Sequence, residues 1–316
     1  MRLYRTLEEA GCQAIRDRGL ALGVFDGVHQ GHTKILDALK GAVLAQGLDS
    51  AMAVTMHPHP LAVLRPERAP KMILSLGERL QELRRHGLDE VLVLEFTASL
   101  AATAYESFTR DILQGILGMR LLVAGYDFHL GRNREGSAEN MAALGERLGF
   151  RVQVVTPCYL DDGIISSTRI RSDLTAGRIE AASRALGHPY VLSGRIVPGQ
   201  GKGRLLGFPT ANLAPFPEEK VLPPAGVYLV RSHLEGAHFA GLMNLGWAPT
   251  LRNSFQAEVH LLDFAGDLVD QEMEFAVIKR LRSERRFPDA AALALQIRED
   301  VAQARKILAT DLLRGE

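Results

Sequence analysis

At 316 residues, with 47% hydrophobic and 23% charged side chains, the chain is too long for one small module and too apolar for a disordered segment. Its 37 basic and 37 acidic residues cancel, which argues against a duplex nucleic-acid binder. Cys12 and Cys158 lack C-x-x-C spacing, and no apolar run resembles a signal peptide or approaches the ~20 residues of a membrane span, so the expected class is a soluble cytoplasmic enzyme.

In chain order, short apolar runs at 20–25, 51–55, 91–94, 121–124 and 151–156 read as strands, with helical patterns between them. Ile35, Leu36, Leu39 and Val43 recur at helical spacing after the first run, and Pro58 and Pro60 stop the second. This alternation predicts an α/β, Rossmann-like domain with a parallel sheet covered on both faces. A helix is expected over 172–186, broken by Gly187-His188-Pro189. The domain boundary therefore falls at 187, giving domains 1–187 and 188–316. Beyond it, Val227-Tyr228-Leu229-Val230 and the alternation Ala257, Val259, Leu261 predict antiparallel strands of a small β-barrel. A closing helix over 288–313 places Leu293, Ile297, Val301, Ala304 and Leu308 on one stripe, with Pro288 in its first turn.

The sharpest local pattern is Gly23-Val24-Phe25-Asp26-Gly27-Val28-His29-Gln30-Gly31-His32, directly after the first strand. Ligands in open α/β sheets bind where strand carboxyl ends meet helix amino ends, and free N–H groups there attract anions. His29 and His32 are one helical turn apart and Gly31 lets backbone approach closely, an arrangement suited to an α-phosphate under attack. A helix cap with two surface histidines is the plain alternative, and no third ligand at a usual spacing supports zinc. Ser166, Ser167 and Thr168, followed by Arg171, offer hydroxyl and guanidinium donors to phosphates at a helix start, or simply cap it. His57 and His59 flank Pro58 after the second strand, and Asp127 follows the fourth, each open to a binding or a loop-ordering role.

In the second domain Gly199-Gln200-Gly201-Lys202-Gly203-Arg204 is a basic glycine-rich loop, a phosphate cradle or a plain connector. Thr210 and Asn212 supply hard neutral oxygens suited to Mg²⁺ shared with substrate phosphates. Glu258 interrupts an apolar alternating strand. A carboxylate facing a barrel interior is costly unless used, and as a general base it would take a proton from an attacking hydroxyl.

These runs, F-D-G-V-H-x-G-H, I-S-S-T-x-I-R, L-G-H-P-Y, G-F-P-T-A-N, N-L-G-x-x-P-T and E-V-H-L-L-D-F, occur in the order of a known family. From end to end the chain resembles the bacterial bifunctional riboflavin kinase/FAD synthetase. The resemblance implies an N-terminal nucleotidyltransferase domain that adenylylates FMN to FAD, and a C-terminal six-stranded barrel that phosphorylates riboflavin with ATP and Mg²⁺. Carried over, His29 and His32 stabilise the α-phosphate transition state. Gly23, Phe25, Asp26, Gly31, Asp127, Ser166, Ser167, Thr168, Arg171, Gly201, Gly203 and Arg204 form ATP sites, Thr210 and Asn212 hold the metal, and Glu258 activates the ribityl hydroxyl. Val24, His129-Leu130, Ala248 and Val269-Asp270 depart from the family's usual residues. The implied partners are small molecules, without nucleic acid or membrane, and the sequence sets no oligomeric state. One rival is an adenylyltransferase for another phosphate ester with a flavin-binding second domain. It leaves Thr210, Asn212 and Glu258 unexplained. Another is a non-catalytic flavin-responsive regulator, which the intact H-x-G-H and Glu258 oppose.

Overall fold

Six parallel strands make the sheet of the N-terminal half in the computed structural model, which describes residues 1–12, 17–161, 163–199, 201–248 and 254–314. Across the sheet they run Arg2–Tyr4, Glu90–Glu95, Ser50–His57, Arg18–Gly23, Met119–Gly125 and Arg151–Val155. Leu20, Ala53, Val91 and Leu122 are fully buried, as apolar runs covered on both faces require. Five strands coincide with the expected runs. The sixth, Arg2–Tyr4, is an edge strand of three residues, too short to display a period. Strand order reverses between Arg18–Gly23 and Met119–Gly125, the kind of switch point beyond whose carboxyl ends open α/β sheets bind ligands.

The opposite ends of the strands are tied by a buried charge knot. Arg18, Ser50 and Glu90 are each the first residue of a strand. Glu90 accepts from Tyr4 Oη at 2.7 Å, Arg18 Nε at 2.7 Å and Ser50 Oγ at 2.6 Å. Burial alone would raise the Glu90 carboxyl, but these hydrogen bonds and the Arg18 charge hold it below its ordinary value. Arg18 spends its remaining donors on the carbonyls of Leu117 and Ala10, so neither ion is left wanting.

Six antiparallel strands close the barrel in the order Tyr190–Val197, Ala211–Leu213, Ser254–Leu261, Ala237–Ala248, Gly226–Leu234 and Glu272–Ser283. The final helix, Ala290–Arg314, lays Val301, Ala304, Ile307 and Leu308 on Val227, Leu229, Leu242 and Leu262. Of its expected stripe, Val301, Ala304 and Leu308 pack there, joined by Ile307. Its start is two residues later than the first turn assigned to Pro288, because Asp289 Oδ1 caps it by accepting from Ala292 N at 2.8 Å. Asp300 on the same helix is buried and takes a two-pronged bond from Arg282 of the barrel at 2.8–3.0 Å. Near the end of strand Ala237–Ala248, Trp247 is 58% exposed and meets Phe255 edge to face at 5.3 Å.

The helix expected over 172–186 is two helices, Ser167–Thr175 and Ile179–Leu186. Gly177 separates them with a φ of +74°, a conformation that costs other residues. The chain divides into compact units at Met1–Ser167 and Thr168–Glu316, so this helix pair groups with the barrel. Ile179, Ala182, Ala185 and Leu186 are its buried face, and Glu180 pairs with Lys279 at 3.1 Å.

Candidate active sites

The first site grows from the turn after strand Arg18–Gly23. Phe25 and Val28 take positive φ values of 52° and 41°, strained for side chains with a Cβ. That turn delivers His29 as the N-cap of helix Gln30–Gln46, where its Nδ1 accepts from His32 N at 3.3 Å. An accepting Nδ1 puts the ring proton of a neutral imidazole on Nε2. The His29 and His32 rings stack at 3.7 Å and 13°, and the Phe25 ring meets His32 edge-on at 5.3 Å. Burial first, then the charges of His29 and Arg79, push His32 well below the usual imidazole range. Its buried Nδ1 has no partner among the described residues. His32 is therefore held as a neutral ring, a hydrogen-bonding group rather than a second cation stacked on His29.

Five hydrogen bonds hold the turn. Asp26 Oδ1 accepts from Ile73 N at 2.8 Å and Leu74 N at 3.2 Å, and Ser167 Oγ donates to Asp26 O at 2.9 Å. The Val24 carbonyl accepts both Thr55 Oγ1 at 2.9 Å and Arg79 Nη1 at 2.6 Å. Phe25 and Asp26, expected at the nucleotide, are 2% and 3% exposed; their side chains brace the turn. Gly31 packs on the His29 ring, and a Cβ there would lie 3.1 Å from its Cε1 and 3.9 Å from Ile165 O. The I-S-S run therefore does reach the histidine turn, through Ile165 and Ser167. Ser166 lies between them. Gly23 ends the strand beneath the Phe25 ring, and exposed Asp127 follows the neighbouring strand Met119–Gly125 across the switch point. Thr168 and Arg171 fall in the second compact unit, where Arg171 Nη2 approaches Thr168 Oγ1 at 3.4 Å. His59 is a helix cap, its Nδ1 accepting from Leu61 N at 3.1 Å.

A feature absent from the motif reading is a cleft of about 700 Å³ in the first unit. Leu61, Leu64, Phe96 and Phe108 supply apolar wall, and Arg65, Arg68, Arg132 and Arg134 supply charge. The arginine-spaced runs Leu64-Arg65-Pro66-Glu67-Arg68 and Gly131-Arg132-Asn133-Arg134 were its only signal in sequence. Arg79 was missed too, because it lies in a helix whose sequence, Leu76–Arg85, reads as a solvated face; it is 1% exposed.

The second site lies on the barrel, where a cleft of about 540 Å³ is lined by Gly199, Gly201, Arg204, Thr210, Asn212 and Asp267 among others. Two glycines fit against the two candidate metal ligands. A Cβ on Gly199 would fall 2.0 Å from Asn212 Nδ2, and one on Gly203 would fall 2.4 Å from Phe208 O and 3.1 Å from Thr210 Oγ1. The Phe208–Thr210 run is anchored by His260, whose Nδ1 lies 2.8 Å from Pro209 O and whose ring meets Phe208 at 5.5 Å. Register sets Glu258 opposite Asn212 on one side and Asn244 on the other. Ala257 and Val259 are buried while Glu258 is exposed. The expectation of a carboxylate facing the barrel interior is thus corrected: alternation turns it to the open face, level with Asn212. Gln200, Pro249 and Thr250 of the motif runs lie outside the described residues.

The hard oxygens of Thr210 and Asn212, cradled by glycine backbone, fit Mg²⁺ held jointly with phosphates and water. Among the described residues no group of three His, Cys, Asp or Glu gathers to hold a metal by itself, and no helix is long and apolar enough to cross a membrane.

Comparison with known proteins assigns both halves. A family model described as FAD synthetase matches residues 13–169, and one described as riboflavin kinase matches 186–308. Bifunctional riboflavin kinase/FMN adenylyltransferases are similar along nearly the whole chain. That of Pseudomonas fluorescens is 37% identical, covering 96% of this chain and 94% of its own. That of Escherichia coli K12 is 36% identical over 91% of each chain, and that of Bacillus subtilis 33% over 90% of each. A solved structure of a Streptococcus pneumoniae protein named for macrolide efflux shares the fold at a TM-score of 0.87, with 26% identity, covering 96% of this chain and 99% of that one.

Proposed function

Because the chain belongs to the bifunctional riboflavin kinase/FMN adenylyltransferase family, we propose that its two sites divide the flavin chemistry between them. The barrel converts riboflavin and ATP to FMN and ADP. The first unit converts FMN and ATP to FAD and pyrophosphate. The observation that supports this most is the stacked His29–His32 pair, capping a helix at the sheet's switch point.

In adenylyl transfer, an oxygen of the FMN phosphate attacks the α-phosphorus of ATP, the new anhydride bond forms, and pyrophosphate leaves. His29 and His32 donate N–H bonds to the charge that builds on the α-phosphate oxygens, an effect worth ~10²–10³ in rate per donor. The helix amino end adds its dipole. Ser166 and Ser167 take the departing phosphates, and Gly23, Gly31 and Asp127 shape the nucleotide's seat. The arginine-rimmed cleft of the first unit suits FMN, with its apolar wall for the ring system and its guanidinium groups for the phosphate.

In the kinase step, the ribityl hydroxyl oxygen attacks the γ-phosphorus, its proton passes to Glu258, and ADP leaves. Thr210 and Asn212 would hold Mg²⁺, which when bound offsets phosphate charge. Gly201, Gly203 and Arg204 seat the nucleotide. The catalytic boundary is placed at 187, with helix Ile179–Leu186 as the barrel's packing support, and the enzyme acts in the cytoplasm. The test is purified chain with riboflavin, ATP and Mg²⁺, with FMN and FAD separated over time. FMN should appear first and FAD follow, with stoichiometric pyrophosphate. Absence of FAD when FMN is supplied directly would overturn the assignment of the first unit.

A further inference from the structure

A buried cation at the first site has no role in the family motifs. Arg79 is 1% exposed, yet it sits beneath the turn that delivers His29. Nη1 donates to Val24 O at 2.6 Å, while Nε is buried and has no hydrogen-bond partner among the described residues. An arginine buried with an unused donor is expensive in stability unless its position serves something. Two features beside it bear on that position. The Phe25–Val28 turn has two positive-φ residues, and the His29–His32 stack at 3.7 Å cannot hold two positive charges without repulsion.

We propose that Arg79 is a positioning residue for adenylyl transfer: its guanidinium pins the strained turn through the Val24 carbonyl and so fixes where that turn delivers the His29–His32 stack. The buried charge of Arg79 also acts with burial and His29 to hold His32 below the usual imidazole range, so that ring meets an anion as a neutral N–H donor. The groups facing His32 are His29 from its own cap, the Phe25 ring from the turn, and Arg79 from helix Leu76–Arg85. Asp26 acts at one remove, opposing the burial that lowers Arg79 to about 10. At neutral pH Arg79 is therefore still a cation.

The inference rests on the adenylyl-transfer reading, but its test separates the two. Arg79→Met removes both the fork and the charge, while Arg79→Lys keeps the charge with a single point of attachment. Histidine ring resonances are followed by NMR across pH 4.5–8.5, values chosen to span about two units on either side of a free imidazole. Alongside, FAD formation from supplied FMN is measured over the same range in the full-length protein. In Arg79→Met the His32 titration and the acid limb of FAD formation should move up together, and the rate at neutral pH should fall ~10²-fold through loss of alignment. Arg79→Lys should leave the limb near its wild-type position and recover much of the rate. A fall in rate in Arg79→Met with the imidazole titration unmoved would reduce Arg79 to a packing residue. Full activity in Arg79→Met would overturn the proposal outright. The NMR titration needs no turnover, so absence of FAD synthesis in wild-type protein would refute the enzymatic reading without touching the charge coupling.

Discussion

Alanine at Gly203 tests whether the barrel cleft is the phosphoryl-transfer site. The added Cβ would stand 2.4 Å from the Phe208 carbonyl oxygen. A carbon–oxygen contact relaxes to about 3.3 Å, so about 0.9 Å of displacement is needed. The obstacle is backbone, and Phe208 N is hydrogen-bonded to Gly203 O at 2.8 Å, so no rotamer change relieves it. The Phe208-Pro209-Thr210 run must shift as a piece and take Thr210 Oγ1 with it. A misplacement of ~1 Å costs ~10²-fold in a transfer that depends on alignment. Gly203→Ala should therefore lower kcat/KM for FMN formation ~10²-fold and raise the Mg²⁺ needed for half-maximal rate, with conversion of supplied FMN to FAD unchanged. Gly207→Ala is the control. Its φ is +84° with nothing within 4 Å of a Cβ, so it should cost ~1–2 kcal/mol of stability but leave the Mg²⁺ dependence alone. The assay is chromatographic separation of flavins over a Mg²⁺ titration. Wild-type kinetics and Mg²⁺ dependence in Gly203→Ala would refute the placement of Thr210.

His29→Ala or His32→Ala should each slow FAD formation ~10²–10³-fold while riboflavin phosphorylation, measured in the same tubes, continues. Glu258→Gln should do the reverse, lowering FMN formation ~10²–10⁴-fold with flavin binding retained in a fluorescence titration. Glu90→Gln should cost ~3–5 kcal/mol in urea unfolding at neutral pH by stranding Arg18. Because the folded carboxyl lies below its unfolded value, that advantage is present above about pH 4.3 and shrinks as pH falls through the folded pKa; a pH-independent difference would contradict it. A fragment of residues 168–316 should unfold at higher urea than one of 188–316, since the shorter piece loses the buried face of Ile179, Ala182, Ala185 and Leu186.

Apolar runs made the parallel sheet and the barrel readable because burial on both faces, or on alternate faces, writes itself into hydrophobicity. What escaped was set by partners distant in sequence. Arg79 and Glu82 lie in a run of charges that looks solvated, yet both are buried. The single glycine that splits 172–186 is tolerated in a helix often enough that its positive φ is visible only in three dimensions. The face of Glu258 was legible in the alternation of Ala257, Val259 and Leu261, but its place level with Asn212 depends on strand register, which one strand's sequence does not contain. The arginine-rimmed cleft is assembled from segments 56–68, 94–108 and 130–134, and none of them forms a motif alone.

Trp247 is the chain's sole tryptophan, and it lies in the barrel unit, more than half exposed beside Phe255. Its emission therefore reports on one unit only, whereas far-ultraviolet circular dichroism sums over both. Followed together through a urea titration, the two signals resolve the unfolding of the barrel from that of the α/β unit in the intact chain, without cutting it or adding a label. Coincident transitions would mark one cooperative system. Separated midpoints would give each unit its own stability and show which half unfolds first.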